Sequence, residues 1–433
     1  MDRVTFYGAA SEVGRSCIFI ESHENTMLDC GIKLEGRKPV PPEFDLKQSS
    51  SVDQLIISHS HLDHVGYAPA LYQHGFSGKT LLTKPTRDIA QVLLADALKI
   101  QGDKFFNAHS VDKLMKHTKL LDYKQRSGGV EMRDAGHILG SAMTFLDTSE
   151  HRILYTGDVN LRQSKLLEGA DIHGLEADTL IIEGTYGNTT RQSTKKTVNT
   201  FINHIGTTLK RGGKVLVPTF AIGRGQEVLL TLEAHMLSKV IPHCPIFLDG
   251  MVKKVMKIHR HNATHLKREI QMRILTSDDD PFKSEFYREP QMRNKQDVFD
   301  AGRAIIVASS GMLVGGPAVR YFKKLAPEPK NAVIIVGYQA NDTPGRELID
   351  GKRDINLGGT PVQVNCQVET APFSGHSDAP ELLNLTKHVK GLKQIFVVHC
   401  EPTAGAALAK SLHKHTGVKT HLPTIGQTFE LRY

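Results

Sequence analysis

The sequence predicts an α/β fold. Two observations carry that expectation: short apolar runs alternate along the chain with stretches of helical periodicity, and several of the runs end in a polar residue of catalytic type. Strands are expected, in order, at 54–58, 152–155, 180–183, 214–218, 246–249, 304–309, 333–338, 362–368 and 394–399. Each is a short apolar block, such as Leu55-Ile56-Ile57 or Val215-Leu216-Val217, that reads as a buried strand. Helices are expected at 86–101, 192–211, 225–237, 250–261, 317–325, 379–389 and 402–416, where apolar residues recur at helical spacing. The stretch 281–300 is charged and poor in apolar residues, and reads as a surface excursion. Ser58 passes into His59, Tyr155-Thr156-Gly157 into Asp158, Ile182 into Glu183 and Val398 into His399. A single site gathered at the carboxyl ends of well-separated strands is the natural expectation.

Length and composition set the bounds. A chain of 433 residues predicts two domains, and a hydrophobic content of 39% supplies their cores. No apolar stretch approaches the ~20 residues of a membrane span, and Met1-Asp2-Arg3-Val4-Thr5-Phe6 runs directly into a strand with no signal-peptide pattern. The five cysteines (Cys17, Cys30, Cys244, Cys366 and Cys400) are scattered, with no C-x-x-C pair, which predicts free thiols in a reducing cytoplasm. The net charge of +8 suits a polyanionic partner such as nucleic acid, although charge alone does not choose between that and an ordinary basic protein. The cluster Lys253, Lys254, Lys257, Arg260, Lys267 and Arg268 reads first as a solvated helix face and second as an RNA track.

The densest chemistry is in His59-Ser60-His61-Leu62-Asp63-His64, directly after the strand at 54–58. Imidazole nitrogen and carboxylate oxygen are natural zinc ligands. So many titratable groups at a strand end would repel or stay unsatisfied unless positive charge collected them, and two metal ions would do that. Gly136-His137-Ile138-Leu139-Gly140-Ser141 sets a further histidine between glycines, where backbone can approach a ligand closely, and Thr156-Gly157-Asp158 places a carboxylate on a strand-end turn.

The H-x-H-x-D-H run, the later G-H-x-L-G-S and the T-G-D together resemble the metallo-β-lactamase superfamily. By that resemblance His59, His61 and His137 hold one zinc, Asp63 and His64 the other, Asp158 bridges them, and His399 completes the second; two Zn2+ per chain are implied. The rest of the chain resembles the β-CASP nucleases within it. Ile181-Ile182-Glu183-Gly184-Thr185-Tyr186-Gly187 is similar to their motif A, Phe373-Ser374-Gly375-His376-Ser377-Asp378 to motif B, and Val397-Val398-His399-Cys400-Glu401 to motif C. Gly212–Ala221 with Gly223-Arg224-Gly225-Gln226-Glu227, and Ser309-Ser310-Gly311-Met312-Leu313 with Gly315-Gly316-Pro317, look like signatures of the inserted β-CASP domain. The closest likeness is to the short archaeal cleavage and polyadenylation specificity factor type.

The resemblance implies an αββα metallo-β-lactamase sandwich in two pieces, residues 1–188 and 366–433, with an α/β β-CASP domain, 189–365, inserted between them and single-stranded RNA in the interdomain cleft. It implies a zinc-dependent ribonuclease, mainly endonucleolytic with 5′-to-3′ exonuclease action as a second mode, working in RNA 3′-end processing or turnover. His376 is its general acid, held by Glu183 through one ring nitrogen, with Asp63 also counted among the catalytic residues. The products carry a 5′-phosphate and a 3′-hydroxyl. Histidine at motif C points to RNA rather than DNA. A homodimer and an RNA-processing complex are implied as partners, no KH-type module has room at either end, and no membrane is involved. Each assignment has a plainer counterpart. Glu183 could cap the next segment, His376 could be a surface histidine, and Ser309, Ser310 and Gly311 could form a turn instead of a nest of N–H groups for phosphate. Arg224 and Arg346 could make salt bridges instead of RNA contacts. At chain level the rivals are a small-thioester or lactam hydrolase, a DNA nuclease of the same fold, and a non-catalytic RNA-binding scaffold. Motif A reads Glu183-Gly184-Thr185-Tyr186-Gly187, with glycine where a serine or alanine commonly follows the acid, and Asp342 and Pro344 replace the usual glycine and leucine. Neither change removes an implied ligand.

Overall fold

A computed structural model describes residues 2–35, 38–277, 279–291 and 295–431 of the chain. It separates into two compact units: residues 1–163, 167–191 and 375–433 form the first, and residues 164–166 and 192–374 the second.

The first unit holds two seven-stranded sheets. One runs in spatial order Thr428–Glu430, Arg3–Gly8, Cys17–Glu21, Thr26–Leu28, Gln54–Ile56, Lys79–Leu82 and Thr118–Leu120; the other runs Lys419–His421, Gln394–Val398, Thr179–Glu183, Arg152–Tyr155, Ala142–Asp147, Val130–Asp134 and Arg126–Ser127. Alternation along the strands explains the layering. In the second sheet Tyr155, Ile181 and Phe396 face Val4, Phe6, Ile18 and Ile56 of the first, in the core between the sheets. Their neighbours Leu154, Ile182 and Val397 face the other way, onto Leu382 and Leu385 of the helix Ala379–Lys387 and Leu408 and Leu412 of the helix Pro402–Thr416. The outer face of the first sheet, with Phe19, Met27 and Leu55, is covered by Leu71, Leu94 and Leu114 from three further helices. The result is the expected αββα layering. Strands covered on both faces favour apolar residues on both, which is why 180–182 and 395–398 read as unbroken runs.

The second unit is built on a six-stranded sheet in the order Tyr287–Arg288, Ile246–Asp249, Ala304–Ala308, Lys214–Pro218, Ala332–Ile335 and Gln367–Thr370, with its strands paired parallel among the described residues. Two sequence expectations shift here. The single strand expected at 362–368 is two: Thr360–Gln363 pairs antiparallel with Asp354–Leu357, and Gln367–Thr370 joins the sheet. Backbone bonds from Val364 N–H to Arg353 O and from Cys366 N–H to Ala326 O turn the chain between them. Because Gln367–Thr370 is an edge strand of this sheet, the chain stays in the second unit past residue 366 and returns to the first at Gly375. The stretch 281–300 is also more anchored than its charge suggests. Phe282, Phe286 and Val298 are buried, and Tyr287–Arg288 supplies the other sheet edge; residues 292–294 within it lie outside the described residues. Helices Ala108–Lys116 and Arg268–Thr276 had no clear sequence signal. Among the described residues no helix is long and apolar enough to cross a membrane.

Candidate metal centre

The loops that follow Leu28, Ile56, Asp134, Tyr155, Glu183 and Val398 in the first unit deliver imidazoles and carboxylates to one place. Two glycines make this approach possible. Gly136, before His137, has a φ of +66°, and a Cβ there would lie 2.4 Å from Asn160 O; Gly157, before Asp158, has a φ of +51°, and a Cβ there would strike Ser58.

One group comprises His59, His61, His137 and Asp158; a second comprises Asp63, His64 and His399. In the first, His61 Nδ1 lies 3.1 Å from His59 Nε2 and 3.2 Å from His137 Nε2, and Asp158 Oδ2 lies 3.4 Å and 3.5 Å from the same two nitrogens. Four ligands bonded tetrahedrally at zinc distances stand about 3.3 Å from one another, so these spacings are the edges that a tetrahedral metal needs. In the second, His399 Nε2 is 3.3 Å from Asp63 Oδ2, and His64 Nε2 is 3.4 Å from Asp158 Oδ1. Asp158 therefore turns one oxygen to each group. Its Oδ1 and His64 Nε2 are buried, and neither makes a hydrogen bond of normal geometry among the described residues. Orphaned buried polar atoms are costly, and a shared cation would satisfy both. The residues present fit a metal centre.

The opposite edges of the rings are tied back, which leaves the other nitrogens facing the centre. His64 Nδ1 meets Asp29 Oδ2 at 2.8 Å, and Asp29 also accepts from the Ser58 N–H, the Ser58 hydroxyl and the Tyr155 hydroxyl, each at 2.7 Å. His137 Nδ1 donates to Gly375 O at 2.7 Å, and His399 Nδ1 sits 3.2 Å from Thr185 Oγ1. His376 Nδ1 lies 3.0 Å and 3.1 Å from the two oxygens of Glu183, which is fully buried and accepts from the Val159 N–H at 2.8 Å as well.

The electrostatics divide the rings. Burial holds His61 down at about 4 and, with repulsion from His64, holds His59 well below the ordinary imidazole value; burial and His376 do the same to His137. These three favour the neutral, ligand form. Burial also opposes charge on His64, His399 and His376, but carboxylates outweigh it: Asp158, Asp29 and Asp63 for His64, Asp158 and Asp63 for His399, and Glu183 and Asp158 for His376, all of which are raised. Asp158 stays well below the usual carboxylate range despite burial, because His399 and His64 face it.

The structure thus brings together His59, His61, Asp63, His64, His137, Asp158, Glu183, His376 and His399. Ser309, Ser310, Gly311, Arg224 and Arg346 belong to the second unit. Ser309, Ser310 and Gly311 follow the strand Ala304–Ala308, where Ser310 Oγ donates to Gly315 O at 3.2 Å and Gly311 O accepts from Gln339 Nε2 at 3.2 Å. Arg224 is buried and paired with Glu227 one turn along its own helix; Arg346 is on the surface, paired with Asp350 at 2.8 Å. Of the basic cluster, Lys253 pairs with Glu289 and Arg260 with Asp280. Sequence reasoning gave no role to Asp29, Ser58, Tyr155, Thr185 or Ser377. A signal existed for Asp29, which is a carboxylate at the carboxyl end of a strand, as Asp158 and Glu183 are.

Comparison with known proteins agrees with this picture. A family model described as a metallo-β-lactamase superfamily domain matches residues 20–182, one for the Beta-Casp domain matches 225–348, and one for a Zn-dependent metallo-hydrolase RNA specificity domain matches 361–423. The chain is 38% identical to the transcription termination factor FttA of Pyrococcus horikoshii, over 99% of this chain and 71% of that protein. It is 35% identical to the FttA of Methanocaldococcus jannaschii, over 97% and 70%. A solved structure of a protein of unknown function from Enterococcus faecalis aligns over 99% of both chains with a TM-score of 0.58 at 13% identity, a likeness of fold.

Proposed function

Because the chain belongs to the β-CASP branch of the metallo-β-lactamase superfamily, whose members are metal-dependent hydrolytic nucleases, we propose that it is a two-zinc ribonuclease that cuts RNA internally during 3′-end processing or transcription termination. The observation that carries this reading is Asp158, with one oxygen toward the His59, His61 and His137 group and the other toward His64. A carboxylate so placed suits the bridge of a two-ion centre. When bound, zinc ions supply a water deprotonated near neutral pH and positive charge against a phosphate.

The chain's own residues supply the rest. His59, His61, His137 and Asp158 would hold one ion, and Asp63, His64 and His399, with Asp158, the other. Hydrolysis places a hydroxyl on phosphorus and breaks its bond to the 3′ oxygen, which leaves with a proton. His376 holds that proton: Nδ1 is committed to Glu183, so Nε2 is the donor. Glu183 sets the tautomer and favours the protonated ring. In the second unit, the Ser309-Ser310-Gly311 loop offers hydroxyl and backbone groups for the RNA chain. Similarity to transcription termination factors motivates the setting in transcription, and five buried free cysteines suit a reducing cytoplasm.

The test is a zinc-loaded chain incubated with circular and linear single-stranded RNA and with matched DNA. Internal cuts in the circle, 5′-phosphate products, about two zincs per chain and a fall of roughly 10²–10⁴-fold in His376→Ala are expected. A chain that binds RNA without cutting it at any zinc level would sink the proposal, and faster turnover of DNA would move it to the DNA branch.

A further inference from the structure

The loop that carries His376 is fixed by successive residues, each bound to a different part of the first unit. Gly375 O accepts from His137 Nδ1 at 2.7 Å, and His376 binds Glu183. Ser377, fully buried, donates its N–H to Val159 O at 2.7 Å and accepts from the Leu161 N–H at 3.0 Å. Asp378 caps the helix Ala379–Lys387 through Oδ1, while its Oδ2 accepts from Arg162 Nη2 at 2.7 Å and from the Arg191 N–H at 2.8 Å. Glu381 closes the figure: its Oε2 accepts from Arg191 Nη2 at 2.9 Å, and its Oε1 from Arg162 Nε.

A helix cap needs one carboxylate oxygen, and Oδ1 of Asp378 already provides it. The two arginines are therefore surplus to the helix. What they add is direction: Arg162 spans both carboxylates, with Nε on Glu381 and Nη2 on Asp378, and Arg191 meets Glu381 through Nη2 and Asp378 through its backbone N–H. Arg162 lies in the same loop as Asp158, after the strand Arg152–Tyr155, and Arg191 Nη2 also reaches Asn160 Oδ1 in that loop at 3.3 Å. The pair thus ties the loop of the proton donor to the loop of the shared carboxylate. No motif in the sequence includes either arginine.

We propose that Arg162 and Arg191 are positioning residues for proton delivery by His376: through Asp378 and Glu381 they hold the His376 loop in register with the Asp158 loop. This rests on the reading above that His376 protonates the departing ribose oxygen. A displacement on the order of 1 Å at such a donor can cost about a hundredfold.

The experiment compares two substrates in the full, zinc-loaded chain. One is a single-stranded RNA oligonucleotide, whose leaving oxygen needs a proton; the other is the p-nitrophenyl ester of thymidine 5′-phosphate, whose p-nitrophenolate leaves without one. Arg162→Ala is expected to lower kcat on RNA about a hundredfold with KM nearly unchanged, to leave turnover of the ester within about threefold, and to keep the zinc content. Asp378→Asn can keep the helix cap through its one oxygen, puts an NH2 where Oδ2 accepted from Arg162 Nη2 and the Arg191 N–H, and gives the same split. Arg162→Lys, which keeps the charge without the fork, loses less. Equal losses on both substrates, or an undiminished rate on RNA, overturn the proposal. A second readout is the His376 resonance in chain labelled with ¹⁵N-histidine, assigned by its absence in His376→Gln. It shifts in Arg162→Ala and stays in place in the surface variant Arg3→Ala; an unmoved signal in Arg162→Ala overturns the proposal. If the wild type turns over the ester but never RNA, the ribonuclease reading falls, and the imidazole signal decides the clamp.

Discussion

In the first unit, parallel strands ending at Leu28, Ile56, Tyr155, Glu183 and Val398 open into loops crowded with buried imidazoles and carboxylates. In the second, parallel strands ending at Pro218, Asp249, Ala308 and Ile335 open into loops of threonine, serine and glycine, with the nearby charges already paired, as Arg224 is with Glu227. Buried histidines of the first unit divide: His59, His61 and His137 are pushed down by burial, as in the second unit, but others are not. His64 and His399 are drawn toward the protonated form by facing carboxylates, whereas His259, whose surroundings include Phe282, is pushed down to about 4 by burial. Burial alone neutralises an imidazole. Only where carboxylates converge does the interior hold charge, and that is where a cation belongs.

The largest expected effect comes from the group that gives the first unit its character. Asp158→Ala removes the shared carboxylate and leaves His64, which is fully buried, facing fewer acids. RNA cleavage should fall by roughly a thousandfold, equivalent to about 4 kcal/mol of barrier. Zinc content measured by mass spectrometry should drop below two per chain. Full occupancy with full activity would erase the contrast between the units, because the shared carboxylate would then contribute nothing to the centre.

In the second unit the corresponding change is structural. Arg224 and Glu227 are both buried, so Arg224→Ala strands a carboxylate in the interior. Breaking a buried pair from one side costs about 3–5 kcal/mol. Urea unfolding, followed by hydrogen exchange in the strands Lys214–Pro218 and Ala304–Ala308, should report that loss, with zinc content unaffected. If stability instead holds while RNA affinity and its salt slope fall, Arg224 is a phosphate contact after all, as one sequence reading allowed.

These outcomes bear on why the units differed so much in legibility. The first unit's candidates were readable because their chemistry is local: four ligand-type residues within six at His59–His64 are hard to explain otherwise. Single residues such as His137 and His376 became readable through their glycine and serine neighbours and a family pattern. The residues that aim the ligands were not, because orientation is a tertiary property. Tyr155 looks like any aromatic at the end of a strand until its hydroxyl is found on Asp29. The same holds for the boundary near 366, where a short edge strand, Gln367–Thr370, belongs to whichever sheet has an open edge beside it. In the second unit Ser309-Ser310-Gly311 carries no chemistry of its own, so only the resemblance singled it out.

The smallest effect considered isolates the solitary imidazole. His259 donates through Nδ1 to Val255 O at 2.8 Å, and its Nε2 has no hydrogen-bond partner among the described residues. Its folded value of about 4 lies below the unfolded 6.5. Between those values the unfolded chain binds the extra proton, so stability rises with pH through the window, is level above it, and is lost as pH falls. The difference is worth about 2 kcal/mol by pH 5. His259→Phe removes the titrating ring and keeps an aromatic beside Phe282, so the stability gap between variant and wild type, measured by urea unfolding of the second unit, should move by that amount between pH 7 and pH 5. Parallel curves would mean that the ring finds a proton acceptor in the folded chain, and the line drawn here between a lone buried histidine and a gathered one would have to be redrawn.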